Sequence, residues 1–328
     1  MGNMPAPAPT SILGGGPAGS SAALAALAAG SSVRILEKSS LPRHKVCGEF
    51  LSPAVEPCLR RLRAWDQFQA AGPARIERMA LHFSRRELFA PLPEPAWGLS
   101  RYVFDALLLG RARELGADID DPSPAPQLVI ATGRRSRPAP RGKRVFGFKA
   151  HFEGPPGDAV ELFFFDGCYT GVSPVESRKT NVCGLGPEDV LRRFDFDYDQ
   201  LVRRSPALAA RLRPLTRLTQ WLSTGPLDFR QSFDPQTGGV YPTGDAVSFA
   251  DPFTGSGLLA AVRTGELAGH AAALRKPVTE YLAECRQTLR QPFLTAHVFR
   301  KTLDWGWAEL MAEWIPAKVL FQLTRPRI

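Results

Sequence analysis

Gly14-Gly15-Gly16-Pro17-Ala18-Gly19 follows a short apolar run, Thr10 to Leu13, and opens an Ala/Leu-rich stretch, Ala18 to Ala29. That glycine spacing suits phosphate chemistry. Gly14 permits a tight turn, Gly16 lets the backbone approach a pyrophosphate, and Gly19 lets helix and strand pack closely. The helix N-terminus, begun by Pro17 and Ala18, offers free N–H groups and a partial positive charge to the phosphates. Glu37 ends the β-rich run Val33-Arg34-Ile35-Leu36, 18 residues beyond Gly19, with Lys38 beside it. There its carboxylate can accept hydrogen bonds from an adenosine ribose. An acid at this place disfavours a 2′-phosphate, so FAD or NAD is expected and NADP is not.

A second constellation stands near the far end, where Thr243-Gly244-Asp245-Ala246-Val247 precedes Asp251-Pro252-Phe253-Thr254-Gly255-Ser256-Gly257 and an Ala/Leu helix. A third is Arg43-His44-Lys45-Val46-Cys47-Gly48-Glu49-Phe50. The positive neighbours of Cys47 favour its thiolate, which makes it either a reactive thiol or a wall residue with no covalent role. His151 shares a strand face with Lys149 and is either a proton donor or a satisfied sheet residue. Lys45, Cys47 and His151 are the catalytic candidates, and no side chain is forced into the role of acid or base. Glu176 reads as a loop carboxylate. Ser136, Ser173 and Ser256 lack an organised His/Asp partner, and the five His form no i, i+4 pair, so hydrolase and metalloenzyme readings are set aside.

The elements that must position these residues follow from pattern. Strand, glycine turn, helix and strand over residues 10 to 37 make a βαβ unit. Arg101 to Leu115 reads as a helix closed by Gly116, and Gln127 to Ala131 as a buried strand after a Pro-rich connector. From Arg144 to Leu185 the pattern turns to strands: Val145 to Phe152, Ala159 to Phe165, Tyr169 to Val172 and Thr180 to Leu185, an antiparallel sheet. Leu191 to Leu218 reads as helical, broken at Pro206 and Pro214. Gly257 to Leu274 is a helix, and the tail from Pro277 is helical with Trp305, Trp307 and Trp314. The fold class is α/β. No internal repeat occurs.

The second and third constellations resemble the flavoprotein superfamily that includes geranylgeranyl reductases and para-hydroxybenzoate-hydroxylase-like monooxygenases. The resemblance runs over about residues 10 to 275. It implies that Asp245, after Gly244, holds the ribityl hydroxyls of FAD. It also implies that Pro252, Gly255 and Gly257 bring backbone N–H groups to the flavin ring. Arg43, Cys47 and Gly48 are similar to the reductase-branch stretch beside the flavin, and Ser100-Arg101 to the helix start whose Arg contacts FAD. Phe146 to Phe152, Gly171 to Glu176 and Asn181 to Gly184 resemble that branch's substrate sheet. Two departures stand out: the connector Asp118 to Gln127 is short, and Ala131-Thr132-Gly133 replaces the hydroxylases' Ala-Asp-Gly.

The implied organisation is a Rossmann-like FAD-binding domain (10–58, 98–137, 238–275) interleaved with a substrate domain (59–97, 138–237). A C-terminal helical segment (276–328) closes it. The expected function is FAD-dependent oxidoreduction of an apolar isoprenoid, polyketide or alkyl-lipid substrate, first as a double-bond reductase. An aromatic monooxygenase or a non-catalytic flavin binder is the alternative. The electron donor, NADH, NADPH or ferredoxin, stays open, as does the oligomeric state.

The chain can bury a real core, with 44% of its 328 residues apolar, and its 41 Lys plus Arg against 32 Asp plus Glu leave a formal charge of +9. Only 8 of the basic residues are Lys, and the Arg are scattered with no aromatic-basic or Cys/His module, so nucleic acid is not expected as a partner. Five Cys, an odd set with no CxxC, point to a reducing, cytoplasmic setting. The uncharged first 33 residues lack a basic n-region, and glycines interrupt their apolar stretch, so neither a signal peptide nor a spanning helix is expected. The stretch Leu294 to Leu323, with Arg300, Lys301 and Lys318, can either cover a substrate site or lie on a membrane surface.

Overall fold

Thr10–Leu13 is the middle strand of a five-stranded parallel sheet in a computed structural model that describes residues 7–84, 86–134, 144–155, 157–234 and 239–304. Its neighbours are Gln127–Ile130 and Val33–Leu36, and Val240–Pro242 and Asp118–Ile119 form the edges. Ile12, Val33, Ile35 and Val129 are buried in the largest core cluster. The helix Pro17–Ala28 packs against Gly257–Ala273 and Arg101–Glu114. The first of these contacts is close because the sequence carries no bulk there: a Cβ on Gly265 or Gly269 would lie 2.2 or 1.9 Å from the carbonyl oxygen of Ala18 or Ala22. The short connector is not structureless. Asp118–Ile119 pairs with Val33–Leu36, and Arg34 reaches Asp121 at 2.8 Å.

The second sheet has nine strands. Its order runs Thr216–Arg217, Val145–Glu153, Lys179–Pro187, Cys168–Pro174, Ala159–Phe165, Ala74–His82, Glu87–Gly98, Phe50–Leu51, with Leu222–Leu227 also paired to Val145–Glu153. The expected antiparallel ladder from Val145 to Leu185 is in place. The sheet as a whole is mixed, because Ala74–His82 pairs with Ala159–Phe165 in parallel. Parallel neighbours need a long crossover, and here the chain passes through the nucleotide unit between the two strands.

The stretch Leu191 to Leu218 departs from its expectation. It holds Tyr198–Val202 and Pro206–Leu212, follows the short helix Glu188–Arg192, and ends in the strand Thr216–Arg217. Asp197 and Ser205 split it. Each side chain accepts N–H groups from the next turn, Asp197 from Asp199 and Gln200, Ser205 from Leu208, and so starts a new helix. The tail is one helix, Val278–Asp304. Trp305, Trp307, Trp314 and Lys318 lie outside the described residues, as does Ser136. Among the described residues no helix is long and apolar enough to cross a membrane, and all five cysteines are free thiols.

Candidate functional site: a dinucleotide cleft opening on an apolar chamber

Gly14 sits at φ +105°, and a Cβ there would come 2.5 Å from the Ala131 carbonyl oxygen. Gly19 does not line the cleft. Its missing side chain lets the helix close on the strand, for a Cβ would lie 1.8 Å from the Gly14 oxygen. Glu37 braces the turn, accepting the Gly15 N–H at 2.7 Å and the Ser39 N–H at 3.0 Å. This use of the carboxylate was absent from the sequence reading, which assigned it to a ribose.

Two cations converge in front of Gly16. Lys45 Nζ and Arg101 Nη2 lie 3.7 and 3.9 Å from where a Gly16 Cβ would stand. Asp105, whose side chain is fully buried, holds both: Arg101 Nε and Nη2 donate to it at 2.5 and 2.8 Å, and Lys45 Nζ is 3.3 Å away. Burial and the nearby Arg101 push the Lys45 amine below its ordinary value, against the pull of Asp105. Arg101 is driven the other way, because Asp105 and Cys47 together outweigh its burial. One carboxylate between two crowded cations leaves net positive charge in front of Gly16, at the start of the helix, which suits a pyrophosphate. The helix start that carries Arg101 is itself fixed: Ser100 caps Val103, and Glu176, read earlier as a bland loop acid, accepts both the Ser100 N–H and its hydroxyl at 2.7 Å.

Across the cleft, the Gly244 N–H donates to Thr264 Oγ1 at 3.0 Å, and Asp245 follows on the cleft wall. Burial raises the Asp245 carboxyl above its ordinary value, opposed by Arg101, Arg134 and Lys45. The loop beyond is anchored by Asp251, which the sequence reading left without a role. It accepts the Phe253 N–H at 3.0 Å and the Tyr169 hydroxyl at 2.7 Å, joining the loop to the second sheet.

Gly14, Gly16, Pro17, Ala18, Glu37, Lys38, Arg43, Lys45, Cys47, Gly48, Arg101, Gly244, Asp245, Pro252, Gly255 and Gly257 all line one cavity of about 920 Å³. Of the cofactor and catalytic candidates named from sequence, Gly19 and His151 do not line it, nor do Ser100, Lys149 and Glu176. The same cavity continues over apolar side chains of the second sheet, including Met79, Leu81, Val160, Leu162 and Leu185. Behind Cys47 lies a polar knot that sequence did not foretell. Glu49, fully buried, accepts from His151 Nε2 at 2.6 Å, from the Lys149 ammonium, and from the Arg101 backbone N–H at 2.7 Å. Burial pushes its carboxyl up, but His151 and Lys149 outweigh that and hold it below the ordinary range. His44 stacks on Tyr102 and meets the His151 ring edge-on. Burial pushes the neighbouring Cys183 thiol up, out of thiolate range.

These residues fit a flavin dinucleotide. A Cβ on Gly16 would stand in contact with Lys45 and Arg101, the two cations front the glycine turn, and the half-buried Asp245 carboxylate lines the same cavity. The fold is that of flavin-dependent halogenases. Solved flavin-dependent brominase Bmp2 superposes with a TM-score of 0.81 at 19% identity, covering 97% of this chain and 93% of that one. In sequence the chain is similar to the 1H-pyrrole-2-carbonyl-[peptidyl-carrier protein] brominase of Pseudoalteromonas luteoviolacea, 25% identical over 310 residues, 79% of this chain and 76% of the brominase. It is also similar to digeranylgeranylglycerophospholipid reductase 2 of Methanopyrus kandleri, 27% identical over 317 residues, 80% of this chain and 76% of the reductase. Flavin-dependent halogenase armH4 of Armillaria mellea is 30% identical over 165 residues, but the match covers only 47% of this chain and 30% of that protein. No protein-family model matches the chain. The resemblance to a flavoprotein superfamily that includes geranylgeranyl reductases agrees with these similarities; the halogenases among them were not foreseen.

Proposed function

We propose that this chain is an FAD-dependent oxidoreductase acting on an apolar small molecule, and that its chemistry is halogenation of an electron-rich carbon. The observation that carries the first part is the single cavity in which a phosphate-type glycine turn at one end meets an apolar sheet face at the other. Residues 10–58, 98–137 and 238–275 form the cofactor domain in this reading, and 59–97 with 138–237 the substrate domain. Gly14 and Gly16 with Lys45 and Arg101 would hold the diphosphate, Asp245 the ribityl chain, and the Pro252–Gly257 loop the ring. FAD held there and reduced by an external donor would supply two electrons, to dioxygen for the oxidation of a halide ion or to a carbon–carbon double bond. The chain's residues place it, keep water from the apolar chamber, and orient the substrate against the Met79–Leu81 and Val160–Leu162 faces.

Halogenation is supported by the brominase and fungal halogenase relatives and by the shared fold. A second reading, double-bond reduction, is supported by the lipid reductase relative and by the Arg43 to Gly48 segment. One experiment separates them. Photoreduced protein is mixed with dioxygen, bromide and pyrrole or phenol acceptors, and in a parallel anaerobic arm with a polyprenyl substrate. A product bearing the bromine isotope doublet supports halogenation, and an anaerobic product gaining two hydrogens supports reduction. A product heavier by one oxygen in the presence of bromide contradicts both.

A further inference from the structure

We propose that Glu49, paired with Lys149, is the positioning residue through which the second sheet sets the two cations of the cofactor cleft. The proposal rests on the FAD reading above. Lys45 and Arg101 flank Gly16 with their side chains, and the buried pair grips both by their backbones. Glu49 Oε1 accepts the Arg101 N–H at 2.7 Å, and Lys149 Nζ donates to the Lys45 carbonyl at 3.2 Å. Lys149 and Glu49 bond each other, and His151 takes the remaining Glu49 oxygen at 2.6 Å. Glu49 also accepts the Leu99 N–H at its own carbonyl, 3.1 Å.

Stability alone is a poor account of this arrangement. A buried ion pair spends most of its Coulomb energy on desolvation, and apolar side chains of like volume serve a core as well or better. Here Lys149 is 1% exposed and Glu49 fully buried, and Glu49 is held at φ +55°, a region that non-glycine residues seldom occupy. What the pair supplies that apolar side chains cannot is a donor and an acceptor aimed at two particular backbone groups. These belong to the two residues whose charges meet the diphosphate. Lys149 and His151 come from Val145–Glu153, the strand whose opposite neighbours shape the apolar chamber, so cofactor grip and sheet position are mechanically joined.

The test is a double-mutant cycle on FAD affinity, read by flavin fluorescence quenching on the full chain. E49Q/K149M removes both charges together and so leaves no orphaned buried ion. Melting curves by circular dichroism verify its fold. The expected result is about tenfold weaker FAD binding than the parent, the loss of roughly one charge-assisted contact. In an Arg101→Ala background the same pair of changes costs less, because only Lys45 is left for it to position. Unchanged affinity in E49Q/K149M, or a loss as large without Arg101 as with it, overturns the proposal. If the double variant does not fold, Lys149→Met, in which His151 still pairs Glu49, removes the donor to the Lys45 carbonyl; a weakening of FAD binding that vanishes in a Lys45→Met background is expected, and unchanged affinity overturns the proposal. A parent protein that binds no FAD rejects the FAD reading itself, a result distinct from either.

Discussion

Lys45 and Asp245 are displaced in opposite directions in the apoprotein, and each displacement gives a measurable sign. Burial and Arg101 depress the Lys45 amine. A diphosphate beside it raises the amine again, so binding takes up a proton between the two values, and FAD affinity weakens as pH rises through the apoprotein value. A fluorescence titration from about pH 7 to about pH 10 should show this loss, and Lys45→Met should flatten it. Asp245 is raised by burial. A carboxyl raised in the folded state contributes stability at low pH that is lost as pH rises through its folded value, so at neutral pH its charge is a burden. Asp245→Asn should therefore leave the apoprotein melting at the same or a higher temperature. It should weaken FAD binding about ten- to 150-fold, the worth of one charge-assisted hydrogen bond. Equal affinity for mutant and parent would reassign Asp245 to the turn.

At the scale of elements, the crossing of the Pro17–Ala28 and Gly257–Ala273 helices is set by missing side chains. Gly269→Ala forces a methyl to within 1.9 Å of the Ala22 carbonyl oxygen and should destabilise, by about 1–3 kcal/mol as overpacking does. Gly110, in the helix Arg101–Glu114, has nothing within 4 Å of a built Cβ. Gly110→Ala should be neutral or stabilising by up to about 1 kcal/mol. Chemical denaturation of the two variants checks the contrast. The βαβ unit was legible because period, glycine turn and terminal acid coincide within residues 10 to 37. Glu87–Gly98 was not, since Pro91, Pro93 and Pro95 argue against a strand. Pro91 still pairs with Arg78, but the register breaks between Arg78 and Ile76, so Leu92 to Pro95, with two of the prolines, bulge from the ladder before Ala96 resumes it opposite Ile76. Glu49 was invisible as a partner for a different reason: Lys149 and His151 lie 100 and 102 residues away, beyond any local pattern.

In the whole molecule, one cavity serves two sheets. The parallel sheet brings its glycine turn, the mixed sheet its apolar face, and Glu49, Glu176 and Asp251 join them by buried hydrogen bonds. Residue spacing alone reached the nucleotide end of this cavity, whereas the ties between sheets depend on long-range topology. Gly16→Val carries the cleft argument to the whole protein, since a branched side chain in front of Lys45 and Arg101 should abolish cofactor binding while helix content by circular dichroism stays near that of the parent. The most direct measurement is simpler: purification of the protein, an absorption spectrum, and chromatography of the cofactor released on denaturation. The expected result is a yellow protein that releases one FAD per chain. A colourless protein that also fails to bind added FAD would contradict it.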